Sequence, residues 1–207
     1  MAEKIILFGG TFDPVHTGHI EVAQAAAEKI GAKKAILIPA RRSPHKNQKP
    51  VAIDIDRIAM LKLAIKDKNL FQISTIELNR AEPSYTIDTI HQLKQKFGGD
   101  CELYWLIGAD MLKSLPLWHK VIELMDQCNI SVMNRGGFDK PDFDSLIAKF
   151  DKETIEKLKK NSIETPLIDI SSTEIRRKLA DDEDAGEFLH PEVLKYIKDR
   201  RLYMPND

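Results

Sequence analysis

The sequence predicts an α/β fold in which helices cover both faces of a mainly parallel sheet. Short apolar runs of the kind that form buried strands alternate with segments whose apolar residues recur at helical spacing. The first run leads directly into a glycine-containing turn and then a helix, an order typical of doubly wound sheets that bind ligands. The predicted class is therefore Rossmann-like. With 207 residues, no internal repeat and no shift in composition, we expect a single domain spanning residues 1–207.

Short apolar runs of four to six residues are predicted to be the strands of this sheet. The first of them is an unbroken apolar segment of the kind that makes a buried strand. In chain order the predicted strands are Lys4–Phe8, Ala35–Pro39, Phe71–Ile76, Leu103–Ile107, Ile130–Met133 and Leu167–Ile170.

The first helix is predicted to start at Thr17, whose hydroxyl can cap it, and to end before Gly31, where a left-handed cap is favoured. Its apolar residues, such as Ile20, Ala23 and Ala27, return at helical spacing. Other segments with helical patterns are Ile53–Lys66, Thr86–Phe97, Leu117–Met125, Asp151–Lys160, Thr173–Leu179 and Pro191–Lys198. The last two would form a helical C-terminal part of the domain, at about residues 171–207.

Composition excludes several classes of function. The 31 Lys and Arg residues nearly balance the 32 Asp and Glu residues, so the overall charge gives no reason to expect nucleic-acid binding. No apolar run approaches the ~20 residues of a membrane span, and the N-terminus lacks the features of a secretory signal. Cys101 and Cys128 match no metal or redox spacing and are expected to be reduced, buried thiols. We therefore expect a cytoplasmic protein without nucleic-acid or membrane partners, and leave open whether it is a homo-oligomer.

The turn after the first strand, "GGTFDPVHTGH" at residues 9–19, carries the first chemical signal. Gly9 and Gly10 have no Cβ atom to block the approach of a ligand to the backbone, and the N–H groups at the start of a helix favour an anion. His16 and His19 fall in the turn and in the first helical turn, so both imidazoles can face one pocket and donate hydrogen bonds to phosphate oxygens. These residues predict a phosphate site.

Other sites with similar residues fit less well. A His-x-x-His pair can begin a zinc site, but no Cys, Glu or third His lies nearby in sequence to complete it. The two common phosphate loops are missing, because the sequence contains neither Gly-x-Gly-x-x-Gly nor a Gly-Lys-Ser/Thr ending.

Short motifs along nearly the whole chain carry a family resemblance. In order they are "GTFDPVHTGH", "PARRSPHK", "PSYTIDT", "LIGAD", "LPLWHK" and "ISSTEIR". Together they resemble the bacterial nicotinate-mononucleotide adenylyltransferases, members of the nucleotidyltransferase superfamily with the His-x-Gly-His motif. The resemblance implies a nucleotidyltransferase domain and an enzyme of NAD biosynthesis, which joins ATP and nicotinate mononucleotide into nicotinate adenine dinucleotide and pyrophosphate.

The resemblance assigns some of these residues to ATP and its reaction. Those implied to act in catalysis are His16, His19 and Arg176. Those implied to bind ATP are Gly9, Gly10, Thr11, Phe12, Gly108, Asp110, Ser172 and Thr173. The residues of "ISSTEIR" alone predict a serine-capped helix start with an arginine one turn further on, which is a second anion site. The resemblance places the β- and γ-phosphates of ATP there.

Other motifs are assigned to the mononucleotide. Thr86 starts a predicted helix whose N–H groups and hydroxyl suit the carboxylate of nicotinate, and Trp118 offers a flat face to the pyridine ring, although such a tryptophan is by default part of the core. The residues that the resemblance implies for mononucleotide binding are His45, Lys46, Tyr85, Thr86, Trp118 and Arg135.

Two basic segments are less clearly assigned. The loop that ends at Lys46 also contains Arg41 and Arg42, and its position after a strand favours phosphate contact, but the resemblance assigns neither arginine. The family's usual Arg-Pro-Gly reads Arg135-Gly136-Gly137 here, which leaves the role of Arg135 open.

The expected chemistry is direct transfer between the substrates. No Ser or Cys lies beside a base in a recognisable nucleophile motif, so we expect no covalent enzyme intermediate. The ionised 5′-phosphate of the mononucleotide would attack the α-phosphorus of ATP in line, and pyrophosphate would leave. We expect Mg²⁺ to be carried mainly by the ATP phosphates and assign it no protein ligand.

Three alternative functions share parts of the pattern. An adenylyltransferase that uses nicotinamide mononucleotide or phosphopantetheine has the same signature, although "SYTIDT" and Trp118 favour nicotinate mononucleotide. A cytidylyltransferase also shares the signature. A nucleotide-sensing module without activity would be free to lose His16, His19 or Arg176, and all three are present.

Overall fold

The computed structural model describes residues 2–41, 50–98, 100–135, 141–166 and 170–205. Within these residues six strands form one sheet with the order β3-β2-β1-β4-β5-β6, and each neighbouring pair is parallel. The strands are β1 (Glu3–Gly10), β2 (Lys34–Pro39), β3 (Phe71–Ile73), β4 (Cys101–Gly108), β5 (Asn129–Arg135) and β6 (Ile163–Thr165). This order confirms the predicted Rossmann-like class.

Helices pack on both faces of the sheet. They are α1 (Thr17–Ile30), α2 (Asp54–Ala64), α3 (Thr86–Phe97), α4 (Val121–Gln127), α5 (Lys152–Lys160), α6 (Ser172–Ala180) and α7 (Pro191–Asp199). Alternate residues of β1 enter different cores because successive strand side chains point to opposite faces. Ile6 packs with α1, α2, α6 and α7, whereas Leu7 packs with α3, α4 and α5. In the described part of the chain no helix is both long enough and apolar enough to cross a membrane.

The last predicted strand, Leu167–Ile170, lies outside the described residues except for Ile170. The described sheet has a short strand that was not predicted, β6 (Ile163–Thr165), which pairs with the end of β5 at the sheet edge. Ile170 is not in a strand, but it is 8% exposed and packs in the core, which accounts for its apolar character. Residues 167–169 lie outside the described chain.

Two other element boundaries differ from prediction. β3 ends at Ile73 rather than Ile76, because Thr75 begins a turn in which its carbonyl accepts hydrogen bonds from the N–H groups of residues 78 and 79. The helix predicted from Leu117 to Met125 is interrupted. A 3₁₀ helix covers Ala109–Leu117, and α4 begins only after Lys120, whose φ of 51° lies in the left-handed region.

The strand order switches between β1 and β4, and a doubly wound sheet has its ligand crevice at the carboxyl ends of the strands at such a switch. The chain builds β2 and β3 on one side of β1, then crosses back to place β4 and its followers on the other side. The ladder between β1 and β4 ends at Leu7 and Trp105, whereas β1 stays paired with β2 as far as Gly10. Ligands of doubly wound sheets bind at such a switch in strand order.

Candidate active site

The turn between β1 and α1 places the two predicted catalytic histidines side by side. His16 is the residue that caps α1, so Thr17 is the first helical residue and not the cap as predicted. His19, three residues further on, completes a capping box with His16, because its Nδ1 accepts a hydrogen bond from the main-chain N–H of His16 at 3.2 Å. The ring centroids lie 3.7 Å apart. Since Nδ1 is the acceptor, a neutral His19 carries its proton on Nε2, which is the atom able to donate to a phosphate oxygen.

Two aromatic side chains, Phe8 and Phe12, pack beneath the turn against the ring of His19. The ring of Phe12 is 1% exposed, and its centroid lies 5.0 Å from that of His19 and 5.7 Å from that of Phe8. Gly10 makes room for it, because a Cβ atom at that position would stand 3.1 Å from the ring. The side chain of Phe12 therefore packs against His19. Because this side chain is buried, a predicted contact between Phe12 and ATP would involve the main chain of Phe12.

Gly9 has a packing role that the sequence did not suggest. A Cβ atom on Gly9 would lie 2.6 Å from the indole of Trp105, a side chain on β4 that is 5% exposed. Real Cβ contacts are essentially never so short. The indole of Trp105 occupies the space where a Cβ atom would stand, so a glycine at position 9 is needed for packing between β1 and β4.

The start of α6 docks onto the histidine turn. Arg176 donates from Nη1 to the carbonyl of Asp13 at 2.7 Å, and Ser172 donates from Oγ to the carbonyl of Pro14 at 3.0 Å. Arg176 also contacts the hydroxyl of Thr173, at 3.3 Å from Nη2. The predicted capping of α6 is confirmed for Ser171, whose Oγ accepts from a main-chain N–H. The two motifs that the sequence assigned to anions are thus parts of one surface.

A buried arginine fixes the other end of the turn. Arg57 on α2 is 0% exposed, and it donates from Nη1 to the carbonyl of Thr11 at 2.7 Å and from Nη2 to Asp54 at 2.6 Å. The sequence analysis missed it. A usable signal was its position on the apolar face of the predicted helix, one turn before Met60 and Leu61, because a charged residue on such a face requires partners.

The carboxylate of Asp13 is a second anchor that the sequence analysis missed. Asp13 is 2% exposed, and its two oxygens accept hydrogen bonds from the N–H groups of Val51 and Ala52 at 2.7 and 3.1 Å. The hydroxyl of Tyr203, near the end of the chain, donates to the same carboxylate at 2.6 Å. The turn is therefore tied to the start of α2 and to the C-terminal segment.

A buried polar network holds the N-terminus of α3. Arg80 donates from Nη2 to the hydroxyls of Ser84 and Thr89 and to the carbonyl of Tyr85, the residue that caps the helix. Thr89 in turn donates to Glu77 at 2.9 Å. Glu77 is 6% exposed, and burial raises its pKa despite the hydrogen bond from Thr89 and the nearby charge of Arg80. The sequence analysis missed Glu77 and Arg80.

The motifs assigned to the nicotinate ring meet at this helix terminus. Thr86 is the first residue of α3, as predicted. The ring of Tyr85 stacks on His119 at 4.2 Å between centroids and 27° between planes, and Trp118 is the neighbour of that histidine. Tyr85 and Trp118 are both partly buried against the core of this face. His119 is the contact that joins the two motifs, and the sequence analysis did not single it out.

The remaining predicted residues are placed as follows. Gly108 is the last residue of β4, and a Cβ atom there would collide with the carboxylate of Asp110, which is exposed in the first turn of the 3₁₀ helix. Arg135 ends β5, but its side chain, like the whole of His45 and Lys46, lies outside the described residues.

Arg41, to which the resemblance assigned no role, donates from Nη1 to the carbonyl of Arg80 at 3.0 Å. No group of three or more His, Cys, Asp or Glu side chains that could hold a metal ion occurs among the described residues.

Comparison with known proteins agrees with this geometry. The profile of the cytidylyltransferase-like family matches residues 7–178, which include the histidine turn, the start of α3 and Arg176. The chain belongs to this family. It is 36% identical over 97% of its length, and 97% of theirs, to probable nicotinate-nucleotide adenylyltransferases of Dehalococcoides mccartyi. It is 37% identical over 98% of both chains to a protein of the same name from Klebsiella pneumoniae.

Solved structures share the fold. The nicotinic acid mononucleotide adenylyltransferase of Plasmodium falciparum, solved with NaAD, superposes with a TM-score of 0.71 at 19% identity, covering 97% of each chain. A putative nicotinate-nucleotide adenylyltransferase from Vibrio parahaemolyticus gives a TM-score of 0.66 at 19% identity, covering 97% of this chain and 95% of that one. The family profile ends before Tyr203, so the contact between Tyr203 and Asp13 reaches from outside the matched region.

Proposed function

We infer that this chain is a nicotinate-nucleotide adenylyltransferase of NAD biosynthesis, which converts ATP and nicotinate mononucleotide into nicotinate adenine dinucleotide and pyrophosphate. The curated relatives of that name, similar over nearly the whole chain, support this activity. The observation that carries the chemistry is the docking of α6 on the histidine turn. Arg176 lies 2.7 Å from the carbonyl of Asp13, so an anion-binding helix start adjoins the paired imidazoles of His16 and His19.

The proposed reaction is a single displacement at phosphorus. A 5′-phosphate oxygen of the mononucleotide forms a bond to the α-phosphorus of ATP while the bond from that phosphorus to the bridging oxygen of pyrophosphate breaks. The attacking phosphate is ionised at neutral pH and needs no general base. The protein therefore has to hold two polyanions in line and stabilise the charge that moves onto the leaving oxygen.

The histidines are proposed to stabilise the reacting α-phosphate. His19 is fixed at two points, since its Nδ1 accepts from the main chain of His16 and its ring rests on Phe12. A ring held in this way presents Nε2 in a set direction, and donors that need not reorganise during the reaction are the most effective in stabilising developing charge.

The start of α6 is proposed to bind the leaving pyrophosphate. Its N–H groups and the side chains of Thr173 and Arg176 supply donors on one helical turn. Ser172 donates its hydroxyl proton to the carbonyl of Pro14 and is proposed to bind the anion through its main-chain N–H. Lys46 and His45 remain predicted contacts of the phosphates. Mg²⁺ is treated as part of the ATP substrate, because this ion keeps several waters and commonly takes few protein ligands.

Selection of nicotinate is proposed to occur at the start of α3. The first N–H groups of a helix and the hydroxyl of Thr86 suit a carboxylate, whereas an amide turned inward would set donor against donor. Trp118 is proposed to stack on the pyridine ring. Gly108 and Asp110, at the carboxyl end of β4, are proposed to contact the adenosine part of ATP, with the turn at Gly10 and Thr11 on the other side of the crevice.

The test is a substrate comparison with the unmodified protein. Pyrophosphate release from MgATP is measured with nicotinate mononucleotide and with nicotinamide mononucleotide, and the dinucleotide is identified by its mass. We expect kcat/KM to favour nicotinate by roughly 10- to 1,000-fold, since a few charge-assisted hydrogen bonds distinguish the substrates. The same assay is run with CTP in place of ATP. Faster pyrophosphate release from CTP would indicate a cytidylyltransferase, and nucleotide binding without any pyrophosphate release would indicate a sensing module. Either result would contradict the proposal.

A further inference from the structure

The C-terminal segment reaches the histidine turn. After α7 the chain folds back, and Tyr203 packs against the core formed by α1, α2, α6 and α7. Its hydroxyl donates a hydrogen bond to Oδ1 of Asp13 at 2.6 Å, across 190 positions of sequence. This separation lies at the short end of the usual range for a hydroxyl donor and an oxygen acceptor. The end of the chain is therefore bonded to a residue only three positions before His16.

Asp13 is held through both its side chain and its main chain. Its carboxylate also accepts hydrogen bonds from the N–H groups of Val51 and Ala52, and its carbonyl accepts a hydrogen bond from the guanidinium of Arg176. Between Asp13 and His16 the chain has only two residues, and both are buried. Because so short a linker has little freedom, the position of Asp13 sets the position from which His16 enters the site.

We propose that Tyr203 is a positioning residue for adenylyl transfer, whose hydroxyl fixes Asp13 and through it the turn that carries His16 and His19. This inference rests on the proposed function. It adds a residue beyond the family-matched segment 7–178 to the machinery of the reaction.

The surroundings of the hydroxyl agree with a fixed donor. Burial, and then the negative charge of Asp13 and the hydrogen bond to it, raise the pKa of Tyr203. The hydroxyl therefore keeps its proton over the working range of an enzyme. The residue has a φ of 63°, in the left-handed region that bulky side chains rarely adopt, so its contacts hold it in a conformation with an intrinsic cost.

The chain offers a matched control for the loss of one hydroxyl. Tyr196 on α7 donates to Asp56 at 2.8 Å, and Asp56 is 4% exposed. This bond has the same chemistry as the bond from Tyr203 to Asp13 and lies in the same C-terminal part, but it joins α7 to α2 rather than to the histidine turn. Tyr203→Phe and Tyr196→Phe each remove one oxygen and keep the ring.

The experiment compares kinetics and stability of the two variants in the full chain. Tyr203→Phe should lower kcat by about 10- to 100-fold, the scale expected when reacting groups lose alignment, with KM for ATP and for the mononucleotide changed by less than about threefold. Tyr196→Phe should lower the melting temperature to a similar degree and leave kcat within about twofold of the unmodified protein. Equal kcat in Tyr203→Phe and the unmodified protein, or losses of kcat that follow melting temperature in both variants, would overturn the proposal.

A second readout does not depend on turnover. The imidazole ¹H–¹⁵N signals of His16 and His19 should shift in Tyr203→Phe and stay in place in Tyr196→Phe. Unchanged signals in Tyr203→Phe would refute the coupling even if the protein had another activity. Failure of the proposed function would show itself separately, as a lack of pyrophosphate release by the unmodified protein.

Discussion

Arg176 lies with its Nη1 atom 2.7 Å from the carbonyl oxygen of Asp13, so a residue of α6 bonds the turn that carries His16. The residue proposed to bind pyrophosphate is thereby also a support of the residues proposed to act on the α-phosphate. Its second terminal nitrogen faces the hydroxyl of Thr173, on the first turn of the same helix. The pyrophosphate site and the histidine turn are consequently expected to respond together to substitutions.

Arg176→Lys is expected to be far from conservative. Lysine keeps the charge but lacks the planar fork that can serve the turn and a phosphate at once. Loss of a charge-assisted hydrogen bond, worth ~1.5–3 kcal/mol, should raise Kd for ATP by roughly 10- to 100-fold and should lower kcat as well. Isothermal titration and steady-state kinetics measure both. The control is Arg177→Lys, at an exposed ion-paired position of α6. If Arg176→Lys alters only the melting temperature, its role is structural.

His19→Ala should affect turnover much more than binding. Removing one preorganised donor typically costs roughly 100- to 10,000-fold in kcat, while Kd for ATP should change by less than tenfold. His91→Ala is the control, because His91 is a half-buried histidine on α3 whose Nε2 lies 3.2 Å from Glu123, on another face of the sheet. Near-normal turnover of His19→Ala would remove this residue from the mechanism. Bound zinc that is lost on substitution of His16 would support the metal site that the sequence disfavoured.

Trp118 and Thr86 should have separable effects on substrate choice. Stacking depends on the ring and not on its substituent, so Trp118→Ala should raise KM for both mononucleotides alike. Thr86→Ala removes a hydroxyl proposed to face the carboxylate and should reduce the preference for nicotinate by roughly tenfold. The two ratios of kcat/KM provide the measurement. A preference that survives Thr86→Ala but disappears in Trp118→Ala would reverse these assignments.

Glu77 should make stability depend on pH. Burial raises its pKa above the ordinary value of 4.5, so ionisation costs more in the folded protein than in the unfolded chain. Its favourable contribution is thus complete below the ordinary value and is lost as pH rises through the folded pKa. Relative to Glu77→Gln, the unmodified protein should therefore lose unfolding free energy as pH rises above 4.5 and through the folded pKa. Glu156→Gln, at an exposed site, is the control. A difference independent of pH would contradict the buried carboxylate.

The central strands were predictable because each is a continuous apolar run buried on both faces. β6 was not, since it is a three-residue edge strand in which Ile163 is buried and Glu164 is exposed. Such a strand leaves no apolar run in the sequence. The strand that was predicted nearby, Leu167–Ile170, lies outside the described residues except for Ile170, which is buried in the core. The break before α4 depends on the left-handed conformation of Lys120. A lysine gives no sequence signal for this conformation.

The histidine turn and the helix starts of α3 and α6 could be read from local sequence, because capping residues, glycines and histidines lie within a few positions of one another. The supports of the site could not. Asp13, the hydrogen-bond partner of Tyr203, is 190 positions away in sequence. The residues that bond to Arg80 are not spaced along the chain with the period of a helix or a strand. Only Arg57 carried a local signal, as a charge on an apolar helix face. Long-range polar contacts thus account for most of what the sequence missed.

The stereochemical course at the α-phosphorus tests the central claim most directly. ATP with one sulfur on the α-phosphorus, in a single known configuration, is converted with nicotinate mononucleotide, and the configuration of the sulfur-containing dinucleotide is determined. One in-line displacement predicts inversion, with His16 and His19 acting only as donors of hydrogen bonds. Retention would contradict the account, because it requires two displacements and hence an adenylyl group carried covalently by the protein.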